Sequence, residues 1–291
     1  MHKLIRFDWA MKKLLRSKAN FNILAGFISE VLREDITILE ILDSGSNKED
    51  AEAKFNRVDM LIRDSSGVLV IIEVQGISEP DYLLRMLFAT SKAVTEHIAE
   101  GDDYAEVKKV ISINIVYFDL GHGNDYVYRG YTTFYGLHTG HELELNERQK
   151  EFYQRDTIAQ LYPEYYILKV NQFDDVAKNT LDEWIYFLKN EEIPESFTAK
   201  GLGEAKQLFD IMRMKKEERA VYESYVEALR TKSSLIKGNY RYGEITGRIE
   251  GLAKGREEGL AIGREEGLRD SVKRLMANSM SEAEARRLLG L

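Results

Sequence analysis

Two short apolar segments joined by a turn constrain the fold of this chain more than any other feature. The segments are residues 57–63 (RVDMLIR) and 68–75 (VLVIIEVQ), and the sequence between them, Asp-Ser-Ser-Gly, is rich in turn-forming residues. Apolar runs on either side of such a turn predict a β-hairpin. Because both runs are apolar at successive rather than alternate positions, we expect the sheet to be covered on both faces.

Polar side chains interrupt the hairpin at the end away from its turn. A turn centred near residues 65–66 places Asp59 opposite Ile72 or Glu73, and directly opposed residues lie about 4.5–5.5 Å apart at Cβ. Gln75 is two positions after Glu73 and therefore shares its face of the strand. We expect two carboxylates and an amide to converge at this end of the hairpin.

Two neighbouring carboxylates in a partly buried site repel each other and lose hydration unless a cation compensates them. Mg²⁺ is commonly held by one or two carboxylates together with water and phosphate oxygens. A metal bound by Asp59 and Glu73 could polarise a phosphodiester and activate a water molecule. The alternative is that Arg57, Arg63 or Arg85 neutralises the carboxylates in structural ion pairs. The spacing of the residues leaves both interpretations open.

The segments around the hairpin complete an α/β pattern. Residues 20–33 and 80–99 have the apolar spacing of helices, and residues 35–42 and 107–118 have the composition of strands. Further strands and helices are predicted at residues 126–134, 143–146, 165–170, 176–188 and 202–229. This order predicts a mixed sheet flanked by helices, followed by a helical C-terminal extension.

Six segments match the pattern of a known group of proteins. They are 21–32 (FNILAGFISEVL), 54–67 (KFNRVDMLIRDSSG), 68–75 (VLVIIEVQ), 81–93 (DYLLRMLFATSKA), 101–121 (GDDYAEVKKVISINIVYFDLG) and 182–190 (DEWIYFLKN). Through them the chain resembles the PD-(D/E)XK nuclease superfamily, and most closely its recombination-promoting nuclease (Rpn) and transposase family. The resemblance implies a restriction-endonuclease-like α/β core. It also implies a DNA endonuclease that uses Mg²⁺ or Mn²⁺.

The resemblance assigns roles to particular residues. Asp59 matches the metal-binding Asp of the family, and Glu73 matches its second metal carboxylate. Gln75 stands where the wider superfamily usually has Lys, although the family resembled here generally has E-x-Q. Glu30 matches an acidic residue that many members supply from the first helix, and Glu34, one turn further on, is the alternative.

The exchange of Lys for Gln75 leaves the function open between two classes. Lys would bring a positive charge to the attacking water and the phosphate, whereas Gln offers only neutral hydrogen bonds. A displaced cation on the following helix, either Arg85 or Lys92, could take over this role, and Arg85 is the better placed by the family pattern. The alternative function is that of a catalytically weak or inactive nuclease-fold protein that binds DNA or another protein.

The charge of the chain is unevenly distributed. The net charge of −8 argues weakly against a dedicated nucleic-acid scaffold. The first 20 residues nevertheless carry six basic side chains against the single acid Asp8, and charge acts locally, over about 8–10 Å. This segment is either a surface for DNA phosphates or a solvated basic helix face. Its basic residues are Lys3, Arg6, Lys12, Lys13, Arg16 and Lys18.

The composition also bears on compartment and on other kinds of site. The absence of Cys excludes disulfides and thiolate zinc sites. There is no apolar run of the roughly 18 residues that a membrane span needs, and the N-terminus lacks the apolar region and cleavage site of a signal peptide. We therefore expect a cytoplasmic protein without a membrane segment.

The C-terminal part of the chain differs in kind. Residues 243–267 have glycine at every fourth position, and glycine costs a helix interior about 1 kcal/mol relative to Ala. A helix here would need close packing against another chain or helix, so the pattern predicts homo-oligomerisation or partner docking; the alternative is a frayed tail. The expected organisation is a nuclease-like domain at 1–195, a helical region at 196–240 and a Gly-repeat tail at 241–291.

Overall fold

The structure is a computed structural model, and it describes residues 4–42, 59–99, 101–210 and 214–291 of the chain. It divides into two compact units, Met1–Tyr222 and Glu223–Leu291. No helix in the described ranges is both long and apolar enough to cross a membrane.

The described part of the first unit alternates helices and strands. In chain order the elements are α1 (Phe7–Lys13), α2 (Phe21–Leu32), β1 (Ile38–Leu42), β2 (Met60–Asp64), β3 (Leu69–Gln75), α3 (Tyr82–Glu96), β4 (Val110–Val116), β5 (Val127–Gly130), α4 (Glu147–Tyr153), β6 (Glu164–Lys169), α5 (Thr180–Asn190), α6 (Leu202–Leu208) and the start of α7 (Lys216–Ala277). The remainder of α7 and the short helix α8 (Glu282–Leu288) form the second unit.

The strands form one six-stranded sheet in the order β1-β2-β3-β4-β6-β5. The β2–β3 pair is the predicted antiparallel hairpin, β4 runs parallel to both β3 and β6, and the two edge strands are antiparallel to their neighbours. This is the predicted mixed sheet. The carboxyl ends of β3, β4 and β6 meet at one edge, the edge at which Glu73 and Gln75 lie.

Both faces of the central strands are covered, as the apolar runs predict. Leu69 and Ile71 of β3 pack with Ala93 of α3 on one face. Val70 and Ile72 point to the opposite face and are equally buried. Helices α1, α2 and α5 contribute an aromatic cluster to the core, in which Phe7, Phe27, Trp184 and Phe187 meet edge to face.

The strand predicted at 126–134 ends at Gly130 and the helix predicted at 176–188 begins at Thr180, and two further elements differ more. Residues 143–146 do not form a strand; Asn146 instead begins helix α4, where its side chain accepts a hydrogen bond from the Gln149 N–H in a capping box. The helix predicted at 202–229 is interrupted: α6 ends at Leu208, where Phe209 is buried against Phe187 and its carbonyl accepts a hydrogen bond from the Ile5 N–H, and α7 begins at Lys216. Contacts remote in sequence outweigh local helix propensity at Phe209, whereas the capping box at Asn146 is itself a local contact.

A buried ion-pair cluster surrounds Glu164 at the sheet edge opposite Glu73. The Glu164 carboxylate accepts hydrogen bonds from the Lys109 ammonium (2.9 Å), the Arg129 guanidinium (2.6 Å) and the Tyr166 hydroxyl (2.7 Å). Burial raises the pKa of Glu164, but the hydrogen bonds from Tyr166, Lys109 and Arg129 outweigh burial, so its pKa is lowered. Protonation of this carboxylate therefore opposes folding.

We expect Glu164→Gln to lower the free energy of unfolding by about 2 kcal/mol at pH 7, because the mostly buried Lys109 loses its counter-charge while Arg129 is exposed to water. A carboxylate whose pKa is lowered by folding stabilises the fold above the ordinary Glu pKa of about 4.3, and this contribution is lost as the pH falls through the folded-state pKa. Urea unfolding of wild type and variant should therefore differ above the ordinary Glu pKa and converge as the pH falls below the lowered folded-state pKa. The exposed pair of Glu195 with Lys206 supplies the control, Glu195→Gln. A difference independent of pH would contradict the role of the charge.

Helix α7 carries the glycine repeat as part of one continuous helix. Apart from the helix's own neighbouring backbone, no atom of the described residues lies within 4 Å of the position a Cβ would take at Gly243, Gly247, Gly251, Gly255, Gly259, Gly263 or Gly267. At the far end, α8 begins with a capping box between Ser281 and Glu284. Packing within the described chain therefore does not require glycine at these positions.

Candidate active site

The register of the hairpin brings Asp59 and Glu73 together. The last described pair of the β2–β3 ladder joins Met60 to Ile72, and one further step places Asp59 opposite Glu73. The Asp59 N–H donates a hydrogen bond to Glu73 Oε2 (3.0 Å), and the Val74 N–H donates one to Asp59 Oδ2 (2.9 Å). Each carboxylate is thus held by the backbone of the opposite strand.

This interlocking follows from where β2 begins. In the antiparallel ladder the N–H groups of Val70 and Ile72 point toward β2, and so does that of Val74. Val74 lies beyond the pair formed by Met60, and the Asp59 carboxylate accepts its hydrogen bond. The side chain of Asp59 therefore continues the ladder, which orients its carboxylate at the open end of the hairpin.

A chain of charged and polar contacts surrounds Glu73, which is 7% exposed. The Arg85 guanidinium, on the first turn of α3, donates through Nη2 to Glu73 Oε1 and through Nη1 to Glu79 Oε2 (2.9 Å). The Gln75 amide donates to Glu79 Oε1 (2.7 Å) and to the Ile77 carbonyl (3.1 Å). Glu79 thus links Gln75 to Arg85, and Arg85 links Glu79 to Glu73.

A buried polar group also lies beside Glu73 in the sheet. Asn114 of β4 is the parallel-strand neighbour of Glu73; its amide donates to Ser112 Oγ (2.9 Å), and its Oδ1 accepts from the Tyr82 hydroxyl (3.3 Å). Burial raises the pKa of Tyr82 above its usual range, and the Glu73 charge raises it further. The Tyr82 hydroxyl therefore stays protonated and serves as a hydrogen-bond donor beside the carboxylates.

Comparison with known proteins identifies the family of this chain. Residues 5–239 match the family model described as PD-(D/E)XK nuclease family transposase, a match that includes the whole sheet and every residue of the site. The chain belongs to the PD-(D/E)XK nuclease transposase family. The predicted fold class is confirmed by this match and by the mixed sheet with its flanking helices. Neither the curated proteins nor the solved structures contained a match.

Against this family pattern, the structure brings three of the four predicted residues into one site. Asp59, Glu73 and Gln75 lie together at the end of the hairpin. Glu30 accepts hydrogen bonds from the Thr180 hydroxyl and the Lys200 N–H, and these contacts tie α2 to the beginnings of α5 and α6. The role that the resemblance gives to Glu30 remains a prediction.

Among the described side chains of the basic N-terminal segment, Arg16 contacts the site. The Arg16 guanidinium donates to the Asp59 carbonyl (3.1 Å), and Lys13 and Lys18 on either side of it are exposed. Arg6, by contrast, pairs with Asp8 and Glu191, each at 3.3 Å. In this PD-(D/E)XK nuclease fold, Arg16 therefore brings a positive charge to the backbone of Asp59 from the turn that follows α1.

The residues present fit a hard divalent cation better than zinc. Within the described ranges no three His, Cys, Asp or Glu side chains gather as a metal cluster. Asp59 and Glu73 offer only oxygen, the ligand type that Mg²⁺ and Mn²⁺ take together with water and phosphate. The alternative of structural ion pairs is partly borne out, because Arg85 contacts Glu73, whereas Arg63 pairs with Glu40 and Arg57 lies outside the described residues.

Glu79 is absent from the sequence prediction. The sequence gives little indication that Glu79 belongs to the site, because an acidic residue in a polar segment between a strand and a helix is common in loops of any function. Only its contacts with Gln75 and Arg85 single it out.

Proposed function

We propose that this protein is a metal-dependent DNA endonuclease that hydrolyses phosphodiester bonds, of the recombination-promoting kind within its family. In this proposal Asp59 and Glu73 hold Mg²⁺ or Mn²⁺, and Glu30, which contacts Thr180 and Lys200 in the structure, would assist only after leaving those contacts. The observation that carries the proposal is the interlocking of Asp59 and Glu73 at the end of the hairpin, in a chain that belongs to a nuclease family.

The residues around the carboxylates have distinct tasks in this proposal. A bound divalent cation supplies Lewis-acid activation of the phosphate and of a water molecule. The Gln75 amide nitrogen is engaged by Glu79, and its amide oxygen is the group that accepts a hydrogen bond from the attacking water. Arg16, with Lys13 and Lys18 beside it, contacts phosphates of the DNA backbone next to Asp59.

The test is nicking of supercoiled plasmid by the purified full-length chain. We expect nicks with Mg²⁺ or Mn²⁺ and none with EDTA. A preparation that binds DNA but never cleaves it with either metal would contradict the proposal.

A second candidate function is that of a binding protein that keeps the fold without catalysis. Two observations favour it: Gln75 is neutral, and Arg85 contacts the carboxylate that would bind the metal. Calorimetric titration with Mn²⁺ in the presence of uncleaved DNA separates the two functions. Uptake of metal supports the endonuclease, and its absence supports the binding protein.

The glycine repeat supports a second proposal, homo-oligomerisation through α7. No contact within the described chain requires glycine at Gly251 or Gly259, yet each weakens the helix. Helices pack most closely through glycine faces, which lets backbones approach one another. A second copy of α7 is therefore the partner that would make use of these positions.

We expect Gly251→Ala with Gly259→Ala to raise the thermal stability of the helix, by about 1 kcal/mol per site, while shifting the protein toward monomer. Light scattering after gel filtration measures the mass, and circular dichroism measures the helix. Ser234→Ala with Lys254→Ala changes exposed, non-glycine positions of α7 and should leave the mass unchanged. An unaltered mass in the glycine variant would contradict assembly through this face.

A further inference from the structure

The Arg85 guanidinium lies close to Gln75, the residue that stands where the wider superfamily usually has lysine. Arg85 reaches Glu73 with one nitrogen and Glu79 with the other, and Glu79 in turn holds the Gln75 amide. The positive charge absent from residue 75 is therefore present in the same cluster, delivered from α3.

The Arg85 guanidinium is both charged and accessible. An arginine side chain stays protonated in proteins. The side chain is 28% exposed. Among the described residues, the two carboxylates use two of its five N–H groups, and the other three can donate to a ligand.

We propose that Arg85 is a phosphate-contacting catalytic residue of this site, in place of the missing lysine, and that Glu79 is its positioning residue. This inference rests on the proposed endonuclease function. The planar guanidinium fork matches the oxygens of a phosphate, and charge is best stabilised by donors already in place. Because Arg85 contacts the carboxylate that would bind the metal, it lies within reach of a phosphate bound to the same metal.

Glu79 is needed because Arg85 would otherwise pair with Glu73 alone. A guanidinium held only by Glu73 would neutralise a carboxylate that the metal requires. Glu79 shares this charge through Oε2, and through Oε1 it holds the amide of Gln75. The Glu79 carboxylate thereby positions both the Arg85 guanidinium and Gln75, the residue proposed to orient water.

Lys92, the other cation considered on α3, provides a matched control. It lies two turns further along the same helix and pairs with Glu96 at 3.4 Å. Loss of Lys92 removes a positive charge from α3 without touching the contacts of Glu73, Gln75 or Glu79.

The decisive experiment measures two properties of Arg85→Ala that should move in opposite directions. We expect plasmid nicking to fall by about 10²–10³-fold, the usual effect of losing a transition-state donor. We expect Mn²⁺ affinity without DNA, measured by calorimetry, to rise several-fold, because a competing cation leaves Glu73. Lys92→Ala should change neither property. Weaker Mn²⁺ binding together with a lower melting temperature would assign Arg85 a structural role and overturn the inference.

Two further measurements keep the inference testable if Arg85→Ala does not fold. Arg85→Lys keeps the charge but cannot reach both carboxylates, so nicking should fall about tenfold, less than in the alanine variant. Glu79→Gln should lower kcat about tenfold at unchanged KM and unchanged melting temperature, because it misplaces the cation without removing it. Wild-type rates in both variants would overturn the inference.

Chemical rescue adds a readout that a structural role would not move. Guanidinium ion at low millimolar concentration should restore part of the nicking by Arg85→Ala, but none to an Asp59 variant. Absence of rescue in a folded Arg85→Ala would count against phosphate contact. A wild-type protein that never cleaves would overturn the proposed function itself, whereas wild-type cleavage with fully active Arg85 variants would overturn this inference alone.

Discussion

Asp59→Asn and Glu73→Gln should each reduce metal-dependent nicking at least ~10³-fold. Both changes keep the size of the side chain and remove its charge, so the hydrogen bonds from Val74 and Asp59 N–H can persist while the metal loses a ligand. Metal stabilisation of transition-state charge amounts to several kcal/mol, and each 1.36 kcal/mol is a factor of ten in rate. The measurement is the initial rate of plasmid nicking in Mg²⁺ and in Mn²⁺.

Glu40→Gln is the matched control for this prediction. Glu40 lies on the neighbouring strand β1, pairs with Arg63 at 2.9 Å and undergoes the same chemical change. Its variant should nick DNA at the wild-type rate. Equal rates for wild type, Asp59→Asn and Glu73→Gln would show that any nicking arises elsewhere, including from a contaminating nuclease.

Gly26→Ala should produce the largest loss of stability, about 3 kcal/mol. A Cβ at this position of α2 would collide with the backbone of Lys200 and Gly201, meeting the Lys200 carbonyl carbon at 2.6 Å and the Gly201 Cα at 2.9 Å. Overpacking of this kind costs 1–3 kcal/mol or occasionally more, and here it exceeds the ~1 kcal/mol that Ala contributes to a helix. Backbone cannot swing aside as a flexible side chain can, so α6 would have to separate from α2.

The melting temperature measures this effect, with an expected fall of roughly 6–12 °C. Gly203→Ala is the control, since Gly203 also lies in a helix but no atom lies within 4 Å of its Cβ position. That variant should be as stable as wild type or slightly more stable. A Gly26→Ala protein with an unchanged melting temperature would contradict close packing of α2 on the start of α6.

Local pattern was sufficient to predict the hairpin and to narrow its register to two choices, between which the Met60–Ile72 pair of the structure decides. The turn sequence between residues 63 and 68 sets which residues oppose each other, and the period of two along a strand sets which share a face. Asp59, Glu73 and Gln75 therefore converge as predicted. Element boundaries were less well predicted where partners are remote in sequence, as at Phe209, whose ring stacks on Phe187.

The open question at the hairpin was which cation accompanies the carboxylates. Arg63 and Arg85 are equivalent by composition, and only the path of the chain between β3 and α3 distinguishes them. That path places Glu79 against Gln75 and Arg85, and it brings Arg85 onto Glu73. The conformation of the segment between β3 and α3 depends on contacts with other parts of the fold, which local sequence patterns do not predict.

The sequence by itself determined that two carboxylates and an amide meet at the end of a hairpin, because strand pairing and alternation are local and periodic. Only the tertiary structure decided that Glu79 and Arg85 join them, and that Glu30 is tied to Thr180 and Lys200. The physical reason is that a charged side chain pairs with whatever the packed elements bring within a few ångströms. That proximity is a property of the packing of the whole fold, which local periodicity does not specify.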